Sequence, residues 1–518
     1  MERLPGIPAL ARGLASGIPD VSEFLPDRWN AASIAARARE VLARFRPRAA
    51  SGADPLLADL AAGRTAGITA GQQVGLFGGP LLTLLKALMA VQLSKEVAAP
   101  DLPLAPLFWC ASEDHDLVEV TRFLLPGEAG PVDAGPDPET LRGNRMPVGG
   151  LPIEADVAAL LDRAGAGLPA ADAETRSALL SFHAGRTYRE AFVSTLGWLA
   201  SEPSLRFADG ARVGDKPDLV PLARRLVRER QTVRHLLAAR NAALQAAGHP
   251  LQVTNDPDTL PLFAVVAGER FALNEEGKGL RLKGAPDERR YDVEEVVAHF
   301  ESGTWLPSFS VLTRPLAASL LYPVASTILG PAEIAYWAQS FPLFAWAGIV
   351  PPVMVPRAMA APVTPPVRRA LARLGLGVEG ALDGAEALLS RAGAGRAAAA
   401  IDRIRQARQA ALSNLDALAP DLLAIDGTLA RPLEAARKNV LFALEKLEEK
   451  TAQAAGRADE AVEAQVRRVV QEIAPDGRLA ERVYTAVPWL LRYGRDGLVQ
   501  PLKQRLRWDV TGLQVVEL

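Results

Sequence analysis

The chain has 518 residues, more than one ordinary hydrophobic core requires, so two or three domains are expected. Lysine and arginine number 58 against 60 aspartates and glutamates, a formal charge of −2. That balance argues against a nucleic-acid or membrane-surface protein and for a small molecule or another protein as partner. The single cysteine, Cys110, permits no internal disulfide and fits a reducing cytosol; without a hydrophobic leader core or a long uncharged apolar run, a cytoplasmic protein with no membrane span is expected.

In chain order, the first clear pattern is "ITAGQQVGLFGGPLLTLLKALMAVQLSKE". Gly67 to Ala70 reads as a short strand, Gly71 to Gly79 as a loop, and Pro80 as the first position of a helix, where its fixed φ and missing N–H are tolerated. The leucines that follow surround the helix, so it is expected to be buried. Leu104 to Cys110 is a second apolar run that enters the acidic loop "ASEDHD". Strand, loop, helix, strand reads as a βαβ unit and hence a parallel sheet.

Residues 125–300 are less regular and read as insertions or a small subdomain. "SFSVLTRPL" then reads as a strand ending at Thr313-Arg314, Val324 to Leu329 as another strand, and Gly330-Pro331 as the opening of a helix. In that helix Ile334, Trp337, Phe341 and Phe344 form the buried stripe. Val350 to Val355 is a further strand, and the whole of 60–360 is expected to be α/β. Residues 380–472 are rich in alanine, glutamate, arginine and leucine, with apolar stripes on either side of a break at Pro420. They predict two long antiparallel helices, a coiled-coil hairpin.

Four stretches carry candidate chemistry. Glycines in "AGQQVGLFGGP" let backbone N–H groups approach a ligand at a strand end and a helix start, with Gln72, Gln73, Gly75, Phe77 and Gly78 as binding candidates; a tight turn with close helix–strand packing is the plain alternative. Glu113, Asp114, His115 and Asp116 put four ionisable groups in a row, suited to acid–base work or, on another reading, to a metal or a solvated loop. Fixed zinc spacings are missing, so no metal is assigned. Arg314 suits a carboxylate or phosphate, or a structural ion pair. Gly330, Glu333 and Tyr336 sit at the start of their helix, and Lys86 is a lone cation that reaches toward the loop or neutralises a carboxylate. Cys110 and the aromatics of 337–346 read as core.

Together "TAGQQVGLFGGPLLTLLKA", "PLFWCASEDHDLVEV", "TRPL…LYPVASTILGPAEIAYWAQ", "PPVMVPR" and "PDGRLAERVY…LLRYG" resemble, in order, the cysteine-adding enzymes of bacillithiol biosynthesis. The resemblance implies an α/β, Rossmann-like parallel-sheet core of the nucleotidyltransferase and class I synthetase type, with connecting insertions and a C-terminal antiparallel coiled-coil hairpin that dimerises. It implies core halves at 1–124 and 301–375, insertions at 125–300, the hairpin at 376–474 and a tail at 475–518 that packs on the core. It further implies a ligase joining the carboxyl of cysteine to the amine of glucosaminyl-malate, with no tightly bound cofactor and ATP as co-substrate (or ADP as ligand). The HIGH-type histidines of the related synthetases are absent, and Thr313, Ser326, Thr327 and Ala332 depart from the family's pattern, which bears on substrate detail. In this setting Gln72, Gln73 and the glycine loop bind anionic groups, His115 and its carboxylates orient the amine or move its proton, Arg314 holds a carboxylate, and Glu333 and Tyr336 complete the pocket. A metal-dependent hydrolase using Glu113–Asp116, or a nucleotide-binding coiled-coil scaffold, are the alternative readings.

Overall fold

A computed structural model describes residues 8–16, 24, 29–49, 53–128, 130–137, 139, 145–166, 168, 171–254, 256–286, 289–394, 397–457 and 460–518. The chain divides into two compact units. One comprises Met1–Leu125, Val132–Ala360 and Glu481–Val516, the other Pro126–Pro131, Ala361–Ala480 and Glu517–Leu518.

The first unit is built on a parallel sheet of five strands: β1 (Ala66–Gln72), β2 (Leu104–Cys110), β3 (Arg206–Asp209), β9 (Val324–Leu329) and β10 (Val353–Pro356). Their order is β10-β9-β1-β2-β3, and every pairing is parallel. All six residues of β9 are buried, as are six of the seven in β2. Both strands are near-continuous apolar runs because helices cover the sheet. From β1 the chain moves outward through β2 to β3, then returns to the other side of β1 for β9 and β10. The sheet therefore has its topological switch point between β1 and β9, where open α/β sheets form a crevice beyond the strand ends.

Helix α1 (Leu82–Val97) packs on β1 and β2, with twelve of its residues buried, because apolar side chains occupy all its faces. It begins two residues after the position that Pro80 marks. Pro80 is held in a bridge with Thr485, and the Leu81 N–H donates to Tyr484 O at 2.8 Å, so these residues serve as an edge before the helix starts. Between β3 and β9 lies a second, antiparallel sheet: β4 (Thr259–Val266), β5 (Glu269–Glu276), β6 (Gly279–Leu282), β7 (Arg290–Tyr291) and β8 (Trp305–Phe309), in the order β8-β4-β5-β6-β7.

Three local expectations are corrected. The strand read in "SFSVLTRPL" is β8 of this second sheet and ends at Phe309. Arg314 is the first residue of a helix (Arg314–Leu321), whose second residue is Pro315. A proline in the first turn favours helix initiation, and that signal outweighs the apolar run before it. β10 starts at Val353 rather than Val350, after two prolines that cannot donate to a ladder. Pro420 does not break the hairpin: a 28-residue helix, Ala398–Ile425, runs through it. The turn comes at Asp426, whose carboxylate accepts from Thr428 N at 2.8 Å, before the returning helix Ala430–Arg457.

In the second unit these helices are joined by Gly384–Ala394 and Glu460–Ile473. Gly393 and Gly456 allow backbones to touch. A Cβ on Gly393 would stand 2.0 Å from Ala452 O, and one on Gly456 would stand 2.3 Å from Leu389 O. Intrinsic propensity favours alanine over glycine inside a helix by about 1 kcal/mol, whereas overpacking costs about 1–3 kcal/mol. Gly456→Ala should therefore lower the thermal midpoint. A midpoint that rises would show that the helices do not approach so closely.

Candidate functional site

The loop after β1 turns through three consecutive left-handed residues, Phe77 (φ 53°), Gly78 (φ 83°) and Gly79 (φ 71°). Glycine adopts this conformation freely and phenylalanine does not. The Phe77 N–H is fixed by the buried His183, whose Nε2 accepts it at 3.0 Å while Nδ1 faces Leu179 O at 2.8 Å. Burial pushes His183 down to about 4, so the imidazole is neutral and suited to that acceptor role. Phe77 and Gly78 thus face the core, and Gly75 packs against Gly79; none of the three lines the cavity described next.

A cavity of about 440 Å³ opens at the switch point. Gln72, Gln73, Lys86, Glu119, Arg314 and Tyr336 are among its walls, with Gly330 and Glu333 at the start of the helix Pro331–Ala347. Lys86 is 1% exposed. Its ammonium lies 2.6 Å from Glu333 Oε2, 2.9 Å from Gly71 O and 3.1 Å from Gln72 Oε1. Burial pushes its pKa below the lysine range, and Glu333 opposes that shift. Glu333 also accepts the Gly330 N–H, so the helix start is already capped by a carboxylate. Burial and then Glu333 raise the Tyr336 phenol far above its usual range, keeping it protonated.

The acidic row divides its labour. Glu113 is buried, 3.0 Å from Lys216 Nζ. Asp114 accepts from Gln73 Nε2 at 2.8 Å and lies 3.3 Å from both Arg314 and Arg270. Burial works against its charge, yet the two guanidiniums hold Asp114 well below the usual carboxylate range. His115 is half exposed, with Nδ1 2.7 Å from Arg270 Nη1; burial and then that cation push its pKa down. Asp116 caps the short helix Leu117–Thr121 through Glu119 N. None of the four lines the cavity. Glu113 and Asp114 stand behind Gln73 and Arg314, neutralised by Lys216, Arg270 and Arg314, an arrangement that disfavours a bound cation. Among the described residues no group of three or more His, Cys, Asp and Glu side chains is placed to hold a metal ion.

Sequence reasoning missed three charged cavity residues. Glu119 accepts from Gln72 Nε2 at 3.0 Å, and burial of its carboxylate, then Asp116 and Asp114, raise its pKa to about 7. It sits one helical turn beyond Asp116 in "DLVEV", but no motif marks it. Arg357 and Arg482 also line the cavity. Both lie in stretches singled out for resemblance, "PPVMVPR" and "PDGRLAERVY", without being read as site residues.

Comparison with known proteins gives concordant matches. The model of the bacillithiol biosynthesis BshC N-terminal Rossmann-like domain matches residues 35–358, and that of the BshC C-terminal coiled-coil domain matches residues 360–518. A relative from Salinibacter ruber is 30% identical over 459 residues, covering 87% of this chain and 82% of its own length. One from Solibacter usitatus is 29% identical, covering 85% and 83%. Both carry the name "Putative cysteine ligase BshC".

Removing one member of a buried ion pair costs about 3–5 kcal/mol, because the other charge is left uncompensated. Lys86→Met should destabilise the chain by about that much, and Lys86→Met with Glu333→Gln should recover most of the loss. Denaturant unfolding checks this; a single variant as stable as the parent would show that the pair carries no such role.

Proposed function

Because the chain belongs to the BshC family of bacillithiol-biosynthesis ligases, we propose that its cavity joins the carboxyl of L-cysteine to the amine of glucosaminyl-malate. One observation supports this above the others. A single chamber at the switch point gathers residues from the glutamine loop, the "TRPL" and "GPAEIAYW" segments, "PPVMVPR" and the tail, stretches up to 410 positions apart (Gln72 to Arg482).

A carboxylate does not acylate an amine in water without activation. In this reading the cysteine carboxylate attacks a phosphorus of ATP, giving a mixed anhydride and releasing the displaced phosphate group. The amine nitrogen then attacks the carbonyl carbon. The C–N bond forms, the C–O bond to the phosphate breaks, and one proton leaves the nitrogen. Glu119 is the base for that proton. With a pKa near 7 it is ionised enough to accept and basic enough to compete for the proton. Gln72 orients one of its oxygens, and Lys86 lies one amide away. Gln73, held by Asp114, and Arg314, held by Asp114 and Glu113, present a rigid wall. His115 and the acidic row act by fixing that wall rather than by touching the reactants. Loss of a general base typically costs 10²–10⁴ in rate. Glu119→Gln should lower turnover by roughly that factor and abolish the rise in rate as pH passes about 7. Purified protein supplied with cysteine, glucosaminyl-malate and ATP, with the amide followed by mass spectrometry, tests both statements. Absence of the amide would sink the function, and a Glu119→Gln enzyme within twofold of the parent would sink the base.

The hairpin supports a second element of the reading, a homodimer. Ile425 is 76% and Phe442 70% exposed, and Leu418, Leu423 and Leu441 are exposed on the same two helices. Large apolar side chains on a solvated helix pair suit a second copy. Sedimentation should give a dimer that Ile425→Glu with Phe442→Glu converts to monomer; a monomeric parent protein rejects this.

A further inference from the structure

Five cavity residues carry a buried polar atom with no hydrogen-bond partner among the described residues: Gln73 Oε1, Trp109 Nε1, Arg314 Nε, Ser319 Oγ and Arg357 Nη2. Buried polar groups are rarely left so, and several in one chamber describe the complement of a ligand. Three are N–H donors, the Ser319 hydroxyl can donate or accept, and the Gln73 oxygen is an acceptor. The acceptor is secure, since the other end of the Gln73 amide bonds the Asp114 carboxylate and must therefore be the NH₂ group.

The two arginines differ in how their charge is used. Arg314 lies 3.3 Å from Asp114 and 3.8 Å from Glu113, so two carboxylates already balance it. Arg357 is 1% exposed at its side chain and is spanned on one side only. Its Nη1 lies 2.6 Å from Glu481 Oε1 and donates to Ala358 O at 2.8 Å. Glu481 is fully buried, and its other oxygen accepts the Ala360 N–H at 2.9 Å. The guanidinium is thus clamped in place above the Gly330 turn, where a Cβ would meet its Nε at 3.6 Å. Nη2 is left for the cavity. A fixed, desolvated guanidinium with a free donor is the preferred partner of a carboxylate.

We propose that Arg357 Nη2 binds a carboxylate of the malate moiety and that Gln73 Oε1 accepts an N–H of the amine on the same molecule. This rests on reading the cavity as the substrate site, though not on the amide chemistry. Cysteine's carboxylate loses its charge during reaction, whereas those of malate persist, so an immobile cation suits the latter. Arg314, singled out by sequence for this task, is a wall residue.

Calorimetric titration of the full chain with L-malate, glucosaminyl-malate, L-cysteine and ATP separates the sources, because it reads binding without turnover. Arg357→Lys keeps the charge against Glu481 but loses the free donor. It should weaken L-malate and glucosaminyl-malate at least tenfold and leave cysteine and ATP within twofold. Arg357→Gln with Glu481→Gln, which removes the buried pair together, should do the same, with unfolding curves confirming that both variants fold. Gln73→Leu should weaken glucosaminyl-malate and spare L-malate, which has no N–H. Unchanged binding of both malate compounds in the two Arg357 variants would overturn the assignment. So would an effect confined to cysteine or ATP, a Gln73→Leu loss equal for both malate compounds, or a parent protein that binds neither. Failure to form the amide with these affinities intact would instead count against the catalytic reading alone.

Discussion

The contact on which the rest of the site depends is the buried pair between Lys86 and Glu333. It joins the helix that follows β1 to the helix that follows β9, across the point where the sheet reverses its winding. The ammonium also takes Gly71 O and Gln72 Oε1, and the carboxylate takes the Gly330 N–H. One ion pair therefore fixes the end of β1, the first glutamine and the start of the second helix. Such a pair is weak evidence for stability, since desolvating both charges offsets most of their attraction. Its effect is geometric: a buried charge has few places to go, and those it has define the mouth of the cavity.

The same logic governs the acidic row. Four ionisable residues at a strand end look catalytic because burying them is costly unless they are used. Here the compensation is structural. Lys216 and Arg270 come from the segment between β3 and β9 and, with Arg314, neutralise Glu113 and Asp114. The row thereby ties the antiparallel sheet to the parallel one. Glu119 escapes this neutralisation. Burial, then repulsion by Asp116 and Asp114, raises its pKa to about 7 against the opposing effect of Gln72 and Lys86.

Four of the five strands of the parallel core were legible because loops of unmistakable composition bound them, while Arg206–Asp209, inside the stretch read as insertions, is too short to announce itself. Leu104–Cys110 and Val324–Leu329 are each found with the bounds expected. The helix starting at Pro331 was equally clear, for the proline and the capping glutamate mark it. Arg314 was misplaced because an apolar run ahead of "TRP" resembles a strand whichever sheet owns it. Pro420 misled because a long helix held by its partner tolerates a missing hydrogen bond, while the actual turn signal was the Asp426-Gly427 pair. For the site, the sequence located the walls and not their occupancy. Which residues carry unspent hydrogen-bonding capacity depends on contacts such as Arg357 with Glu481, 124 positions apart, and no local pattern encodes them.

That distinction bears on how the cavity would handle charge during acyl transfer. In the proposed reaction the amine enters with carboxylates nearby, becomes neutral, and bonds to an uncharged carbonyl carbon. Lys86 and Arg314 have their charges balanced within the wall, so neither needs to change during the reaction. Arg357 offers one fixed donor whose charge is balanced by Glu481. The one group poised to change state is Glu119, separated from Lys86 by a single amide. A proton moving from the amine to Glu119 cancels a negative charge that Asp114 and Asp116 already disfavour. The burial and the repulsion that raise its pKa in the resting protein thus favour the proton transfer of the proposed reaction, and the neutralised Glu113 and Asp114 behind it keep the wall from moving when that transfer occurs.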